Sequence, residues 1–220
     1  LTERKIRSEL GDDQVDDNIQ RLGLWIRYNQ KSAILKSEWD ALETKRIPAI
    51  TGHFNIGIKY TKDGESVSMA AAIKTQDDKI FVEAIDCRPT REGNDWIIQF
   101  LTKAKGVNRI VVDGAGSQEI LRDEMKANKI RRIVLPKVAE IKKANAAFMK
   151  NLYDDRIRHM AQPSLANVVT NCEKRAIGTN GGFGFQAIRD QDDISIMDAV
   201  ILAVWATEEF REPHKQKVFY

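Results

Sequence analysis

The sequence is poor in the residues that build zinc sites, disulfides and nucleophilic active sites. Its 220 residues include 2 cysteines and 3 histidines. Cys87 and Cys172 lie far apart and form no CxxC motif, so neither a zinc site nor a disulfide framework is predicted. His53, His159 and His214 show no metal-ligand spacing, and there is no Gly-x-Ser-x-Gly motif. Hydrolysis by a serine or cysteine nucleophile is therefore not supported.

Motifs for nucleotide binding and membrane insertion are missing as well. No Gly-x-x-x-x-Gly-Lys-Ser/Thr loop is present, and the glycine-rich residues 178–184 match neither that spacing nor a dinucleotide fingerprint. We therefore expect no ATP hydrolysis by this chain. No segment approaches the roughly 20 apolar residues that span a bilayer, and the charged start lacks a signal peptide. These features predict a soluble, intracellular protein.

Size and charge permit several functions. With 42% hydrophobic and 30% charged residues, the chain can bury the core of one main domain. The net charge of +3 and the pI of about 8.8 allow a phosphate-binding face without demonstrating one. The chain opens without Met, in a charged stretch that reads like the middle of a helix. We interpret it as part of a longer polypeptide.

The spacing of apolar residues changes near residue 46. Residues 1–45 are polar with helical spacing and predict a helical lead-in, which Pro48 ends because proline lacks an N–H. The alternation that follows predicts an antiparallel meander of three strands. These strands are His53–Tyr60, Ser66–Ile73 and Lys79–Ile85.

Helices and buried strands then alternate. The apolar run Arg109–Asp113 is typical of a strand buried on both faces, and Arg132–Pro136 repeats the pattern. Helices are predicted at about 117–127, 138–153, 163–175 and 194–210, with a β-hairpin or loop at the glycine cluster. This order, three antiparallel strands followed by parallel strands and a closing helix, predicts an RNase H-like mixed α/β sheet over residues 46–220. Other α/β folds also alternate.

Two acidic residues follow predicted strands. Asp113 ends a buried strand and precedes Gly114-Ala-Gly116, at the sheet edge where α/β proteins bind ligands. Its alternative role is to cap the next helix. Asp63 lies in the turn Lys62-Asp-Gly64, where aspartate is common for conformational reasons. A meander places this turn near the edge from which Asp113 emerges.

Asp198 lies within the apolar run Ile194–Ala206. Burying an unpaired carboxylate there would be costly, and a cation shared with Asp113 would remove that cost. The alternative is a helix residue that faces solvent. Asp192 and Asp193, just upstream, are more typical of helix N-caps.

Basic residues cluster in the second half of the sequence. Most such residues are solvated, but several along one groove would bind phosphates and make affinity fall with added salt. The clustered residues are Lys126, Lys129, Arg131, Arg132, Lys137, Lys142, Lys143, Arg156, Arg158, Lys174 and Arg175.

Four segments together resemble the C-terminal nuclease domain of tailed-phage terminase large subunits. In order and spacing they cover most of the chain, from residue 53 to residue 206. The segments are Ile56–Gly64, Ile110–Gln118, Arg156–Leu165 and Met197–Trp205.

The resemblance implies a divalent-metal site for Mg²⁺ or Mn²⁺, expected to hold two ions. Asp113 matches the metal ligand on the second of the family's strands, and Asp198 matches the ligand on the closing helix. Many members carry an Asp on the first strand where this sequence has Lys59, so Asp63 is the expected substitute. Asp193 is the alternative ligand. DNA contacts are expected from Lys59, Lys137, Lys142, Lys143 and Arg158.

The resemblance also implies a biological setting. The expected function is a metal-dependent endonuclease that cuts concatemeric double-stranded DNA during viral DNA packaging in the host cytoplasm. Residues 1–45 would then link it to an absent ATPase domain. The expected partners are that domain, the portal and the small terminase subunit, with no membrane, and the isolated domain is expected to be monomeric. The alternatives are a junction resolvase or transposase-like nuclease, and a non-catalytic DNA-clamp or docking module of the same fold.

Overall fold

The computed structural model describes residues 32–189 and 192–210. In these ranges no helix combines the length and apolar character needed to cross a membrane. The helices are α1 (Lys36–Asp40), α2 (Asp95–Lys103), α3 (Ser117–Ala127), α4 (Val138–Tyr153), α5 (Pro163–Val169) and α6 (Ser195–Glu209), with a 3-10 turn at Thr90–Glu92. The strands are β1 (Ile50–Tyr60), β2 (Ser66–Thr75), β3 (Ile80–Pro89), β4 (Val107–Asp113), β5 (Ile133–Val134), β6 (Ile157–His159), β7 (Cys172–Ile177) and β8 (Gly182–Ala187).

Six strands form one mixed sheet in the order β5-β4-β1-β2-β3-β6. Strand β2 is antiparallel to its neighbours β1 and β3, whereas β4, β5 and β6 each run parallel to the strand beside them. Strands β7 and β8 form a separate antiparallel hairpin. The predicted mixed sheet, with a three-stranded meander followed by parallel strands and a closing helix, is confirmed.

Strand β1 divides its side chains between the two faces of the sheet. Ile56, Ile58 and Tyr60 are buried in a core that also contains residues of α2 and α3. Gly57 and Lys59 alternate with them and lie on the opposite face, beneath α6. One strand therefore supplies both a core and a polar position next to the closing helix.

Helix α6 lies unusually close to β1. A Cβ atom built at Gly57 would be 1.9 Å from the carbonyl oxygen of Ala199, so a larger residue cannot be accommodated without moving the helix. On β2 the buried residues Ser68, Ala70 and Ala72 are also small, and the Ser68 hydroxyl is hydrogen-bonded to that of Ser195 at 2.7 Å. This close packing fixes the height of α6 above the sheet, and with it the position of Asp198.

The described part of the lead-in packs onto the same compact unit, which begins at Ala33. Ile34, Trp39 and Leu42 belong to the core that surrounds α6. The Trp39 indole stacks on the imidazole of His159, with ring centroids 4.0 Å apart. Most of the helical lead-in predicted for residues 1–45 lies outside the described residues.

The helix predicted from Pro163 to about Arg175 was wrong in its second half. Helix α5 ends at Val169, and Cys172–Ile177 instead forms a strand paired with Gly182–Ala187. The turn between these strands places Gly178 and Gly181 at φ of 70° and 71°, a conformation that favours glycine. Strand pairing therefore overrides the local helical spacing, and the hairpin expected at the glycine cluster is confirmed.

We expect Gly57→Ala to lower the free energy of unfolding by at least about 2 kcal/mol, because the new methyl group would collide with the α6 backbone. Urea denaturation would measure the loss. Gly116→Ala is the matched control, since its Cβ would meet nothing within 4 Å. A stability change no larger for Gly57→Ala than for Gly116→Ala would contradict the packing argument.

Candidate active site

A row of polar residues crosses the sheet on the face that α6 covers. Asp113 on β4 is in register with Lys59 on β1, Lys59 with Ser68 on β2, and Ser68 with Cys87 on β3. Side chains that are directly paired across neighbouring strands lie on the same face. The row therefore brings polar groups from four strands to one level of an otherwise apolar surface.

The row opens at one end into a cavity of about 230 Å³. Its walls come from β1, β4, α4, α6 and the β7–β8 hairpin, so elements distant in sequence build it together. The residues that line it are Lys59, Asp113, Val138, Ile141, Ala144, Asn145, Arg175, Ile177, Gly184, Phe185, Asp198, Ile201 and Leu202. Two carboxylates and two cationic side chains thus line one cavity together with apolar residues of α4, α6 and the hairpin.

Asp113 is held by Lys59. The Lys59 ammonium donates a hydrogen bond to Asp113 Oδ2, and the exposed fractions of the two side chains are 21% and 17%. Directly after Asp113 the chain turns at Gly114, where a Cβ would lie 2.5 Å from the Tyr60 Cβ. The alternative role for Asp113 as a helix cap is not observed, since the N-cap of α3 is Gly116, without a side-chain cap.

Asp198 enters the cavity from the first turn of α6. Burial raises its pKa from 3.8 to about 6. Lys59 and Arg175 lower this pKa, whereas Asp113 and Asp193 raise it further. The solvent-facing alternative for Asp198 is therefore not what the structure shows, because the carboxylate lies in a pocket whose surroundings disfavour its charged form.

Arg175 supplies the second cation at the cavity wall. It lies on β7, and its Nε donates a hydrogen bond to the carbonyl oxygen of Phe185 at 3.1 Å. This bond spans the hairpin and anchors the guanidinium beside the cavity that Asp198 also lines. The hairpin therefore contributes charge as well as apolar wall to the site.

Two other acidic candidates do not line this cavity. Asp63 is exposed in the β1–β2 turn, where Oδ1 accepts a hydrogen bond from the Glu65 amide at 3.0 Å. Hydrogen bonds from Thr61 and from that amide lower the pKa of Asp63. Asp193 accepts hydrogen bonds from the amide and hydroxyl of Ser195, at 2.7 and 2.8 Å, at the start of α6. The structure thus brings together Asp113 and Asp198, but not Asp63.

The predicted DNA-binding residues occupy different places. Lys137 is the N-cap of α4, directly before the lining residue Val138, and Lys142 on α4 lies against the hairpin glycines Gly178 and Gly182. Lys143 pairs with Glu209.

Arg158 lies next to the start of β3 and pairs with Asp155 at 2.7 Å. Cys87, near the end of β3, is level with the site, so Arg158 is about 20 Å away along the strand direction.

The carboxylates of the cavity are few, but their number is enough to bind a hard divalent cation. Mg²⁺ often binds proteins through one or two carboxylates and completes its shell with water and phosphate oxygens. Asp113 and Asp198 supply these carboxylates. Asn145 lines the same cavity, and its amide oxygen is buried with no hydrogen-bond partner among the described residues. The described residues contain no group of three or more His, Cys, Asp and Glu side chains that could hold a metal.

Comparison with known proteins finds matches among solved structures but not among family models or curated proteins. No protein-family model matches the sequence, and no curated protein matches it. Among solved structures, the HK97 bacteriophage large terminase matches with a TM-score of 0.60 and 14% identity, over 94% of this chain and 51% of that one. The large terminase nuclease from thermophilic phage G20c with bound magnesium matches with a TM-score of 0.53 and 12% identity, over 78% of this chain and 91% of that one.

This chain has the fold of a phage large-terminase nuclease domain. The large terminase of another thermophilic bacteriophage, in complex with ADP, agrees, with a TM-score of 0.55 and 12% identity over 96% of this chain and 53% of that one. The chain spans about half the length of the HK97 terminase and of this ADP-bound terminase, and nearly all of the G20c nuclease. The predicted RNase H-like fold and the resemblance to terminase nucleases are confirmed at the level of fold.

Arg175 and Asn145 line the cavity, but neither was predicted from the sequence to do so. Arg175 appeared only as one member of a basic cluster, because its segment was predicted to be helical. Asn145 lies on the inner face of α4, four residues after Ile141 and seven after Val138, which line the same cavity. A polar residue within such an apolar stripe was the available signal for Asn145. No comparable local signal marked Arg175, since strand pairing determines its position.

We expect Asp198→Asn to stabilise the metal-free protein at alkaline pH. The folded-state pKa of about 6 exceeds the ordinary value of 3.8, so the wild type loses stability as pH rises from about 4 through about 6. The variant should match the wild type below pH 4 and exceed it by about 1–3 kcal/mol at pH 8. Urea unfolding in EDTA measures both values.

Glu119→Gln, at an exposed position of α3, is the control for that experiment. It removes one negative charge outside the cavity and should show no comparable dependence on pH. If Asp198→Asn changed stability equally at both pH values, or were less stable than the wild type at pH 8, the proposed cost of the buried carboxylate would be disproved.

Proposed function

We propose that this protein is a metal-dependent endonuclease that hydrolyses phosphodiester bonds of double-stranded DNA during phage DNA packaging. The observation that carries the proposal is the meeting of Asp113 and Asp198 in one cavity. They come from a strand end and from the closing helix of a terminase-nuclease fold. Paired carboxylates in such a cavity suit the binding of Mg²⁺ or Mn²⁺.

In this proposal each charged group of the cavity has a separate task. Asp113 and Asp198 hold the cation, which when bound activates water and stabilises the departing oxygen. Lys59 and Arg175 provide fixed positive charge facing the scissile phosphate, and such charge is most effective where water is partly excluded. The apolar wall formed by Phe185, Ile201 and Leu202 limits the access of water.

The substrate follows from the charges around the cavity. We assign phosphate contacts to Lys137 and Lys142 because both lie beside it, and to Lys143 on the same helix. Arg158 is left out of this assignment because it lies about 20 Å from the cavity along the strand direction. Contacts to the sugar-phosphate backbone position DNA without reading its sequence, so low sequence specificity is expected.

The biological setting is part of the proposal. The likeness to the HK97 large terminase and to the ADP-bound terminase supports a nuclease that acts beside an ATPase domain, with the portal and the small terminase subunit as further partners, in the host cytoplasm. Concatemeric viral DNA would then be the substrate.

We expect Asp113→Ala and Asp198→Ala each to reduce Mn²⁺-dependent cleavage of plasmid DNA by more than about 100-fold, since each removes a carboxylate that binds the cation. Gel electrophoresis of the products measures the loss, and circular dichroism checks that the variants fold. Full activity in both variants would refute the site.

Asp63→Ala is the matched control for these substitutions. It removes the same side chain from an exposed turn that does not line the cavity. We expect it to retain most of the activity. A loss as large as that of Asp113→Ala would show that the turn carboxylate takes part in catalysis.

We expect Lys142→Ala to weaken duplex binding and to reduce the slope of log affinity against log salt concentration by about 1, the loss of one phosphate contact. Fluorescence anisotropy in Ca²⁺ over a range of salt concentrations measures the slope. Arg158→Ala removes an equal charge far from the cavity and should leave the slope unchanged. Identical slopes for Lys142→Ala and the wild type would count against this face.

A second candidate function is a non-catalytic DNA-binding module. It is favoured by the Lys59–Asp113 ion pair, which occupies one of the two carboxylates of the site. A wild type that binds duplex DNA, yet neither binds Mn²⁺ nor cuts, would establish this function in place of the nuclease.

A further inference from the structure

Lys59 lines the candidate metal site and is paired there with Asp113. It is the register partner of Asp113 and lies on the face that α6 covers. Its ammonium donates to Asp113 Oδ2, and it lines the same cavity as Asp198. One cation of the protein itself therefore already shares the cavity with both carboxylates.

The charges lining the cavity are already balanced. Two carboxylates, Asp113 and Asp198, face two permanent cations, Lys59 and Arg175. One divalent ion adds two positive charges, which a bound phosphate and its leaving oxygen can offset. A second ion would add two more positive charges next to the Lys59 ammonium, and the cavity has no further carboxylate to offset them.

The supply of oxygen ligands gives the same answer independently. A pair of catalytic ions about 3.5–4 Å apart needs carboxylates that bridge or flank both ions. Here one oxygen of Asp113 is taken by Lys59, and neither Asp63 nor Asp193 lines the cavity. The carboxylates that remain suffice for one Mg²⁺ or Mn²⁺ but not for two.

We propose that this site binds a single divalent cation, held by Asp113 and Asp198, and that the Lys59 ammonium takes the place of a second ion. The inference rests on the proposed nuclease function and changes the expected number of metal ions from two to one. The charge that a second metal would provide is built into the chain at strand β1. Lys59 is then a permanent electrostatic partner of the phosphate, and the number of ions is limited by sequence.

The test is the number of Mn²⁺ ions bound by the full chain. Calorimetry and electron paramagnetic resonance of the wild type should give one Mn²⁺ per chain, with the spectrum of a magnetically isolated ion. Asp198→Asn should lose that ion. Two coupled Mn²⁺ ions in the wild type, or an ion that remains in Asp198→Asn, would overturn the inference.

Two substitutions at the same position separate charge from ligand supply. Lys59→Asp provides a third carboxylate and should bind two coupled Mn²⁺ ions. Lys59→Met keeps a chain of similar length without charge, and should bind one Mn²⁺ about tenfold or more tightly than the wild type, because the nearby repulsion is gone. Should Lys59→Asp fold and still bind one ion, Lys59 would not set the number. If neither variant folds, the wild-type count decides.

Cleavage measured on the same preparations keeps the two proposals apart. If the wild type binds two ions and cleaves DNA, the inference of a single ion is wrong and the proposed nuclease function stands. If the wild type binds one ion but does not cleave DNA, the proposed nuclease function is wrong, whereas the count of one ion stands. No bound Mn²⁺ in the wild type at millimolar concentration would remove both.

Discussion

Helix α6 can reach the sheet only because β1 offers it a residue without a side chain. At Gly57 the helix backbone occupies the space of a Cβ atom, and the small residues Ser68, Ala70 and Ala72 extend this shallow groove onto β2. Protein interiors are close-packed, so this contact fixes the height and the rotation of the helix relative to the sheet. Asp198, one position before Ala199, is thereby placed in the cavity that Lys59 and Asp113 line. Backbone packing thus determines the chemistry of the site.

The site is costly for the fold that carries it. Charged groups lose hydration when they are enclosed, and the attraction between them returns only part of that loss. Here the two acids and two bases partly neutralise one another, yet burial still raises the pKa of Asp198 to about 6. A structure selected for stability alone would place apolar residues at these positions. Their presence is the kind of local conflict that marks functional sites in otherwise consistent sequences.

Much of this arrangement could be predicted from the sequence, and the rest could not for identifiable reasons. Asp113 was found because a continuous apolar strand ending in an acid has few interpretations, and Asp198 because a carboxylate in an apolar helix needs a partner. Arg175 was missed because hairpin pairing, a non-local interaction, decided against helix for its segment. The Asp63 proposal relied on a turn lying close to a strand end. A turn can lie beyond that edge without its side chain entering the cavity, and sequence contains no measure of that distance.

The cavity depends on contacts between parts of the chain that are far apart, and this affects the order in which the protein can mature. Pairs such as Asn55 with Thr207 join the first strand to the end of α6, across 152 positions. Contacts of this range form late and slowly in folding. On the ribosome, β1 and β2 emerge long before α6, with the groove around Gly57 uncovered and apolar. A nascent chain therefore carries Lys59 and Asp113 but lacks Asp198, so it cannot assemble the carboxylate pair until nearly all of the described chain has been synthesised.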